Sequence, residues 1–98
     1  MSTTEGLAVD KLSDIFGALG NPTRIKILLL ISETKRPLHI KAVANALRMD
    51  YAAVYRHVQV LEQNGLLEAF EVGRSRVLSP KKMELIKQMM ELANKMRQ

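Results

Sequence analysis

Apolar residues recur along the 98-residue chain with two different periods, and the changes of period divide it into eight segments. Leu12, Ile15, Phe16 and Leu19 fall at helical spacing and predict a first helix of about 10 residues, stopped by Gly20. Residues 1–8, with Ser2, Thr3, Thr4 and Gly6, read as a mobile lead-in, leaving residues 9–98 as one domain. Asn21-Pro22 restarts the chain as a helix: Asn is a favoured N-cap, and Pro fits the first helical position, where its missing N–H costs nothing. Ile25, Leu28 and Leu29, flanked by Leu30 and Ile31, make this second helix apolar nearly all round, the pattern of a helix buried mid-domain. It ends near Glu33, before the polar linker Thr34-Lys35-Arg36-Pro37.

Leu38-His39-Ile40 reads as a short extended piece, and a brief third helix follows with Val43, Ala44 and Leu47 inward. Arg48-Met49 predicts a tight turn. Asp50 is placed to N-cap a fourth helix reaching Asn64, with Val54, Val58 and Leu61 inward and Gly65 as its left-handed stop. Leu66–Val72 and Arg76–Leu78 then read as the strands of a hairpin turning at Gly73-Arg74-Ser75. Pro80 opens a last helix over residues 80–98. The order α-α-β-α-α-β-β-α is mainly α with a small β-hairpin. Two short helices joined by a tight turn, followed by a hairpin with a basic tip, are the parts of a winged helix-turn-helix.

Composition narrows the class. Hydrophobic residues make up 47% and aromatics 4%, so the core must be aliphatic. No cysteine is present, which excludes disulfides and thiolate metal sites. Apolar runs such as Ile27–Ile31 fall far short of the ~20 residues that span a bilayer. Glu5 and Asp10, with no basic cluster beside them, do not resemble a signal peptide, so the chain reads as cytoplasmic with no membrane partner. No nucleophile–base pair, metal set or phosphate loop is visible, and the chain reads as a non-enzyme without cofactor.

The net charge of +5 is less informative than its distribution. Gly73 to Lys82 holds Arg74, Arg76, Lys81 and Lys82 with no acidic residue; Lys35 to Leu61 holds Lys35, Arg36, Lys41, Arg48 and Arg56 against Asp50 alone. The fourth helix places Tyr51, Ala52, Tyr55, Arg56 and Gln59 on one side, nearest its N-terminal half, the end that meets base edges in such motifs. An ordinary solvated face would carry Glu and Lys, yet no acidic residue lies between Tyr51 and Leu61, and two exposed tyrosines are costly without a contact. These five residues are therefore the major-groove candidates. Lys41, Arg48, His57, Arg74, Ser75 and Arg76 are the candidates for DNA backbone or minor-groove contact.

The segment Leu19-Gly20-Asn21-Pro22-Thr23-Arg24-Ile25-Lys26-Ile27-Leu28 resembles the L-x-[DN]-P-T-R-x-x-I-L opening of ArsR-type repressors. Ala53-Val54-Tyr55-Arg56-His57-Val58-Gln59-Val60-Leu61 through Gly65-Leu66-Leu67 resembles that family's A-V-S-x-H-L-x-V-L-x-x-x-G-L-[LV], and Gly73-Arg74-Ser75-Arg76 its wing tip. The resemblance covers roughly Leu12 to Leu78 and implies a winged helix-turn-helix and duplex DNA as partner. Tyr55 stands where the family usually has Ser or Thr, Ala52 where Pro is frequent, and Arg48 at a turn position that is often Gly. The operator therefore cannot be borrowed from a relative, and Arg48 need not be strained. The Cys pairs or Asp/His sets of metal-sensing members have no counterpart in the third or last helix, and His39 and His57 have no acidic cluster. No metal site is expected.

In the last helix Met83, Ile86, Met90 and Ala93 form one apolar stripe, while Leu85, Met89, Leu92 and Met96 form another. One can cover its own domain and leave the other for a second copy, joined by Leu12 and Phe16 of the first helix, as terminal helices do in the family the chain resembles. The function these features imply is a sequence-specific double-stranded DNA-binding regulator, a repressor acting as a homodimer on a near-palindromic site. The alternatives are a winged-helix protein-interaction module or a sequence-indifferent, chromatin-like DNA binder. Methionine-rich packing also leaves room for a small apolar effector or a protein partner between the helices.

Overall fold

The computed structural model describes residue 6 and residues 8–34 and 36–98; of the expected lead-in, residues 1–5 and 7 lie outside the described residues, as does Lys35. Eight elements follow in the anticipated order: α1 (Val9–Leu19), α2 (Pro22–Glu33), β1 (Leu38–His39), α3 (Ile40–Leu47), α4 (Tyr51–Gln63), β2 (Leu67–Val72), β3 (Ser75–Pro80) and α5 (Met83–Lys95). The sheet is antiparallel in the order β1-β3-β2, with Leu38 opposite Leu78 and Phe70 opposite Val77. The described residues have the winged helix-turn-helix architecture, with the β2–β3 hairpin as the wing.

Local chemistry explains most boundaries. Asn21 caps α2 with its side-chain oxygen, accepting from the backbone N–H groups of Thr23 at 2.9 Å and Arg24 at 3.1 Å, and Pro22 occupies the first turn. At the end of α4, Gly65 takes φ +72°; its N–H donates to the Glu62 carbonyl and the Leu66 N–H to that of Leu61, a Schellman closure that a Cβ would strain. Arg48 closes α3 by the same pattern, its N–H donating to Asn45 and that of Met49 to Ala44, but at φ +55° without being glycine. The relaxed turn expected there is thus incorrect: Arg48 holds the left-handed conformation that L-residues disfavour. Gly73 alone has positive φ in the two-residue wing turn Gly73-Arg74, and Ser75 already pairs with Val72 as the first residue of β3 rather than belonging to the turn.

Three expectations fail for tertiary reasons. Asp50 sits at the N-cap of α4, but its side chain makes no capping hydrogen bond. Pro80 ends β3, opposite Leu67, instead of opening α5; β1 reaches only Leu78, so Pro80 has no second strand that would need its missing N–H. The helix starts at Met83, after Lys82 at φ +53°. Leu29 points outward from α2, 42% exposed, because the buried face of that helix is Ile27, Leu28 and Ile31.

The core is aliphatic, as the composition requires: Ala18, Ile27, Leu28, Ile31, Ile40, Val43, Ala44, Val54, Val58, Leu61, Leu66, Leu67, Leu78 and Ile86 form one cluster. No polar or charged residue among those described is buried. In α5 only Ile86 is fully buried, with Met83, Met89 and Met90 packed beside it. Phe16, Leu85, Leu92 and Met96 remain 57%, 56%, 63% and 85% exposed, so the core leaves them uncovered. No single helix among the described residues is long and apolar enough to cross a membrane.

The two candidate caps give a direct comparison. Asn21→Ala removes two hydrogen bonds and should cost about 1–2 kcal/mol in urea denaturation. Asp50→Ala removes none and should cost less than about 0.5 kcal/mol. Equal losses would contradict the assigned caps.

Candidate nucleic-acid interface

The face of α4 opposite the core carries the candidate reading residues. Val54, Val58 and Leu61 are buried, which turns Tyr51, Ala52, Arg56 and Gln59 outward, where all four are exposed. Tyr55 departs from expectation: it is half-buried and packs at the margin of the core. Its ring stacks on that of Tyr51, one turn earlier, with centroids 6.3 Å apart and planes inclined by 25°. The tyrosines thus form a ladder running along the helix toward the wing.

The wing end of that ladder is Arg76. Its guanidinium lies 5.7 Å from the Tyr55 ring centroid, and it donates to Glu71 at 3.0 Å and to Glu62 at 3.1 Å. The Glu71 carboxylate, followed by Glu62 and Tyr55, raises the pKa of Arg76 above its ordinary value, against the opposing effect of burial. Its Nε is buried without a partner among the described residues. A cation held by two carboxylates is poorly placed to serve DNA phosphates. Arg76 thus differs from Arg74, the other wing arginine expected at the DNA backbone or minor groove, in having two carboxylate partners within the chain.

Arg74 and Ser75 at the wing tip, Lys41 at the start of α3 and Tyr51 at the start of α4 line one common cleft of about 250 Å³, together with His39 and Arg76. Five of the anticipated contacts, Arg76 among them, converge there. His39 is the addition. In β1 Leu38 turns toward the core while His39 is exposed, and this alternation was the available signal. Arg48 is exposed at the α3–α4 turn, outside that cleft. Ser75 is half-buried, whereas Lys41 and Arg74 are exposed.

His57 faces a different neighbour. Arg24 donates from Nη1 to His57 Nδ1 at 3.3 Å, from Nε to the Ala18 carbonyl at 2.7 Å, and from Nη2 to the Gly17 carbonyl at 3.3 Å. One side chain of α2 thereby ties the end of α1 to the middle of α4. With Nδ1 as acceptor, the neutral imidazole carries its proton on Nε2. Burial, then the positive charges of Arg24 and Arg56, lower the His57 pKa below 6.5. Arg24 belongs to the Asn21-Pro22-Thr23-Arg24 motif, but its bracing role depends on the fold and was not readable from spacing.

Away from this face, α1 and α5 flank apolar grooves lined by Leu12, Ile15, Phe16 and Leu19 on one side and Leu85, Met89, Met90 and Ala93 on the other. Of the residues anticipated for a dimer contact, Leu12, Phe16, Leu85 and Met89 line these grooves. No cluster of three or more His, Asp or Glu able to hold a metal ion is found among the described residues.

The depressed His57 pKa predicts a pH effect. The unfolded chain takes up the proton at higher pH than the folded one, so this contribution to stability is complete above pH 6.5 and declines as pH falls toward the folded value. Between pH 7.5 and 5.5 the wild type should lose more stability than His57→Gln, measured by urea denaturation. Identical pH profiles would contradict the Arg24–His57 contact.

Comparison with known proteins places this geometry. A model of the helix-turn-helix domain family matches residues 19–68. No curated protein sequence matches the chain. Among solved structures, it is similar to the homodimeric winged helix-turn-helix DNA-binding domain of a possible ArsR-family transcriptional regulator from Mycobacterium bovis, with a TM-score of 0.80, 23% identity, and coverage of 96% of this chain and 88% of that one. A transcriptional regulator homologue from Pyrococcus horikoshii matches with a TM-score of 0.72 and 26% identity over 89% and 93% of the two chains. An ArsR family transcriptional regulator matches with a TM-score of 0.72 and 25% identity over 93% and 92%. The chain belongs to the helix-turn-helix domain family, and its winged fold is similar to that of solved structures described as ArsR-family transcriptional regulators.

Proposed function

We propose that this chain is a sequence-specific regulator of transcription that binds duplex DNA as a homodimer on a near-palindromic site and represses by occluding it. The observation that carries the reading is the acid-free outer face of α4, whose Tyr51, Ala52, Arg56 and Gln59 are exposed beside a basic cleft at the wing. Base edges are read by α4, with Tyr55 supporting Tyr51 through the ring stack. Lys41, Arg48, Arg74 and Ser75, joined by His39, engage phosphates or the adjacent minor groove. His57 acts from behind, holding α4 to α2 through Arg24.

The homodimer joins the exposed Leu12, Phe16, Leu85, Leu92 and Met96, with half-buried Met89, to the same residues of a second copy. What supports this is that the core leaves Leu12, Phe16, Leu85, Leu92 and Met96 exposed. Its symmetry sets two recognition helices against successive major-groove faces. On this reading no metal is needed, because the thiolates and Asp/His sets of metal sensors are missing from the sequence; a cytoplasmic, non-catalytic regulator is part of the same proposal.

Selection of bound sequences from random duplex DNA tests the reading, and a symmetric consensus is the expected result. Arg74→Gln should weaken binding to all duplexes and reduce the slope of log affinity against log salt by about 0.9, the value for one phosphate contact. Leu92→Glu should give a monomeric mass by light scattering and lose the symmetric footprint. Arg48→Gly should stabilise the fold by about 1 kcal/mol, by relieving a left-handed non-glycine residue, while weakening DNA binding. No enrichment of any sequence, with retention of a stoichiometric protein partner instead, would overturn the proposal.

A further inference from the structure

We infer that Arg76 is a specificity-positioning residue: it clasps the wing to the recognition helix, so that the two enter DNA as one rigid reading surface. This rests on the DNA-binding reading above and assigns to Arg76 a part other than phosphate contact. Three elements meet at its guanidinium. Arg76 itself belongs to β3, Glu71 at 3.0 Å to β2, and Glu62 at 3.1 Å to α4. The Tyr55 ring, also from α4, lies at 5.7 Å.

Each part has a physical consequence. Arg76 stands directly opposite Glu71 in the hairpin register, so their bond stiffens the wing across its own strands. The bond to Glu62 fixes that stiffened hairpin to the last turn of α4. An exposed ion pair by itself contributes little, but Arg76 is only 21% exposed in its side chain, and its planar fork fits both carboxylates while its face meets Tyr55. Tyr55 in turn stacks on Tyr51, the first residue of α4. The line of contact therefore runs from wing to base-reading face: Glu71, Arg76, Tyr55, Tyr51. A slack clasp leaves every phosphate contact in place yet lets the wing and α4 adopt more than one relative position.

Charge and position predict opposite results, and this makes the clasp testable. Glu62→Ala/Glu71→Ala removes two negative charges near the DNA-facing side. If the carboxylates matter only as charges, affinity rises equally for all duplexes and the preference for the selected site is unchanged. The clasp predicts instead that the ratio of selected-site to scrambled-site affinity falls by roughly tenfold, the scale of one mismatched base pair. An unchanged ratio would overturn it. Arg76→Gln is the second variant: a fall in salt slope of about 0.9, equal to that of Arg74→Gln, would make Arg76 a phosphate contact and discard the clasp. An unchanged slope with a reduced ratio supports it.

Hydrogen exchange of the DNA-free protein judges the clasp separately from the function. Amides of Glu71 to Arg76 should exchange faster in Arg76→Gln and Tyr55→Ala, and at the wild-type rate in Tyr55→Phe, which keeps the ring. Equal protection in all four proteins would overturn the inference even if the wild type selects a DNA sequence. Faster exchange in those two variants, with a wild type that selects no DNA sequence, would retain the clasp and refute the DNA reading.

Discussion

The interface depends on the seating of α4. Val54, Val58 and Leu61 lie fully buried among Ile27, Leu28 and Ile31 of α2 and Ile40, Val43 and Ala44 of α3. An α-helix that buries one stripe this completely has its opposite stripe determined by the 100° step between residues. Tyr51, Ala52, Arg56 and Gln59 are outward because those three aliphatic residues are inward. Aliphatic packing is non-directional, however, and sets the face of a helix better than its exact rotation. Directional contacts supply the remainder: Arg24 holds α4 from behind through His57, and Arg76 holds it from the wing side through Glu62 and Tyr55.

The distribution of arginines follows from this division. Arg24 and Arg76 donate to carbonyls, an imidazole and carboxylates within the chain. Arg48, Arg56 and Arg74 are exposed on the α3–α4 turn, α4 and the wing. With no polar or charged residue buried among those described, two guanidinium forks serve the architecture, where their planar geometry fixes angles as well as distances. Arg48 combines the two uses at a cost, since its left-handed backbone closes α3 while its side chain projects to solvent.

What was legible in the sequence was mostly local or periodic. The Asn21 cap, Pro22 at the first turn, Gly65 at the end of α4 and the inward stripes of α3 and α4 each follow from neighbours within a few positions. The family resemblance located the wing and the recognition helix for the same reason, because its motifs are runs of adjacent residues. The failures lie where a distant element decides. Pro80 is in a strand because Leu67 pairs with it. Arg76 read as a free cation because Glu62 lies 14 positions away on another element. His39 joined the site only when the fold brought β1 beside the wing tip.

The central claim is that the outer face of α4 and the wing tip form a single DNA-reading surface. An NMR titration of isotope-labelled protein with a duplex recovered by selection tests it most directly. The account predicts shifts concentrated at Tyr51, Ala52, Tyr55, Arg56 and Gln59 and at Gly73, Arg74 and Ser75. Those two groups should move together along one binding curve, while Leu85, Leu92 and Met96 stay still. Shifts confined to the α1 and α5 side, with α4 and the wing silent, would contradict it.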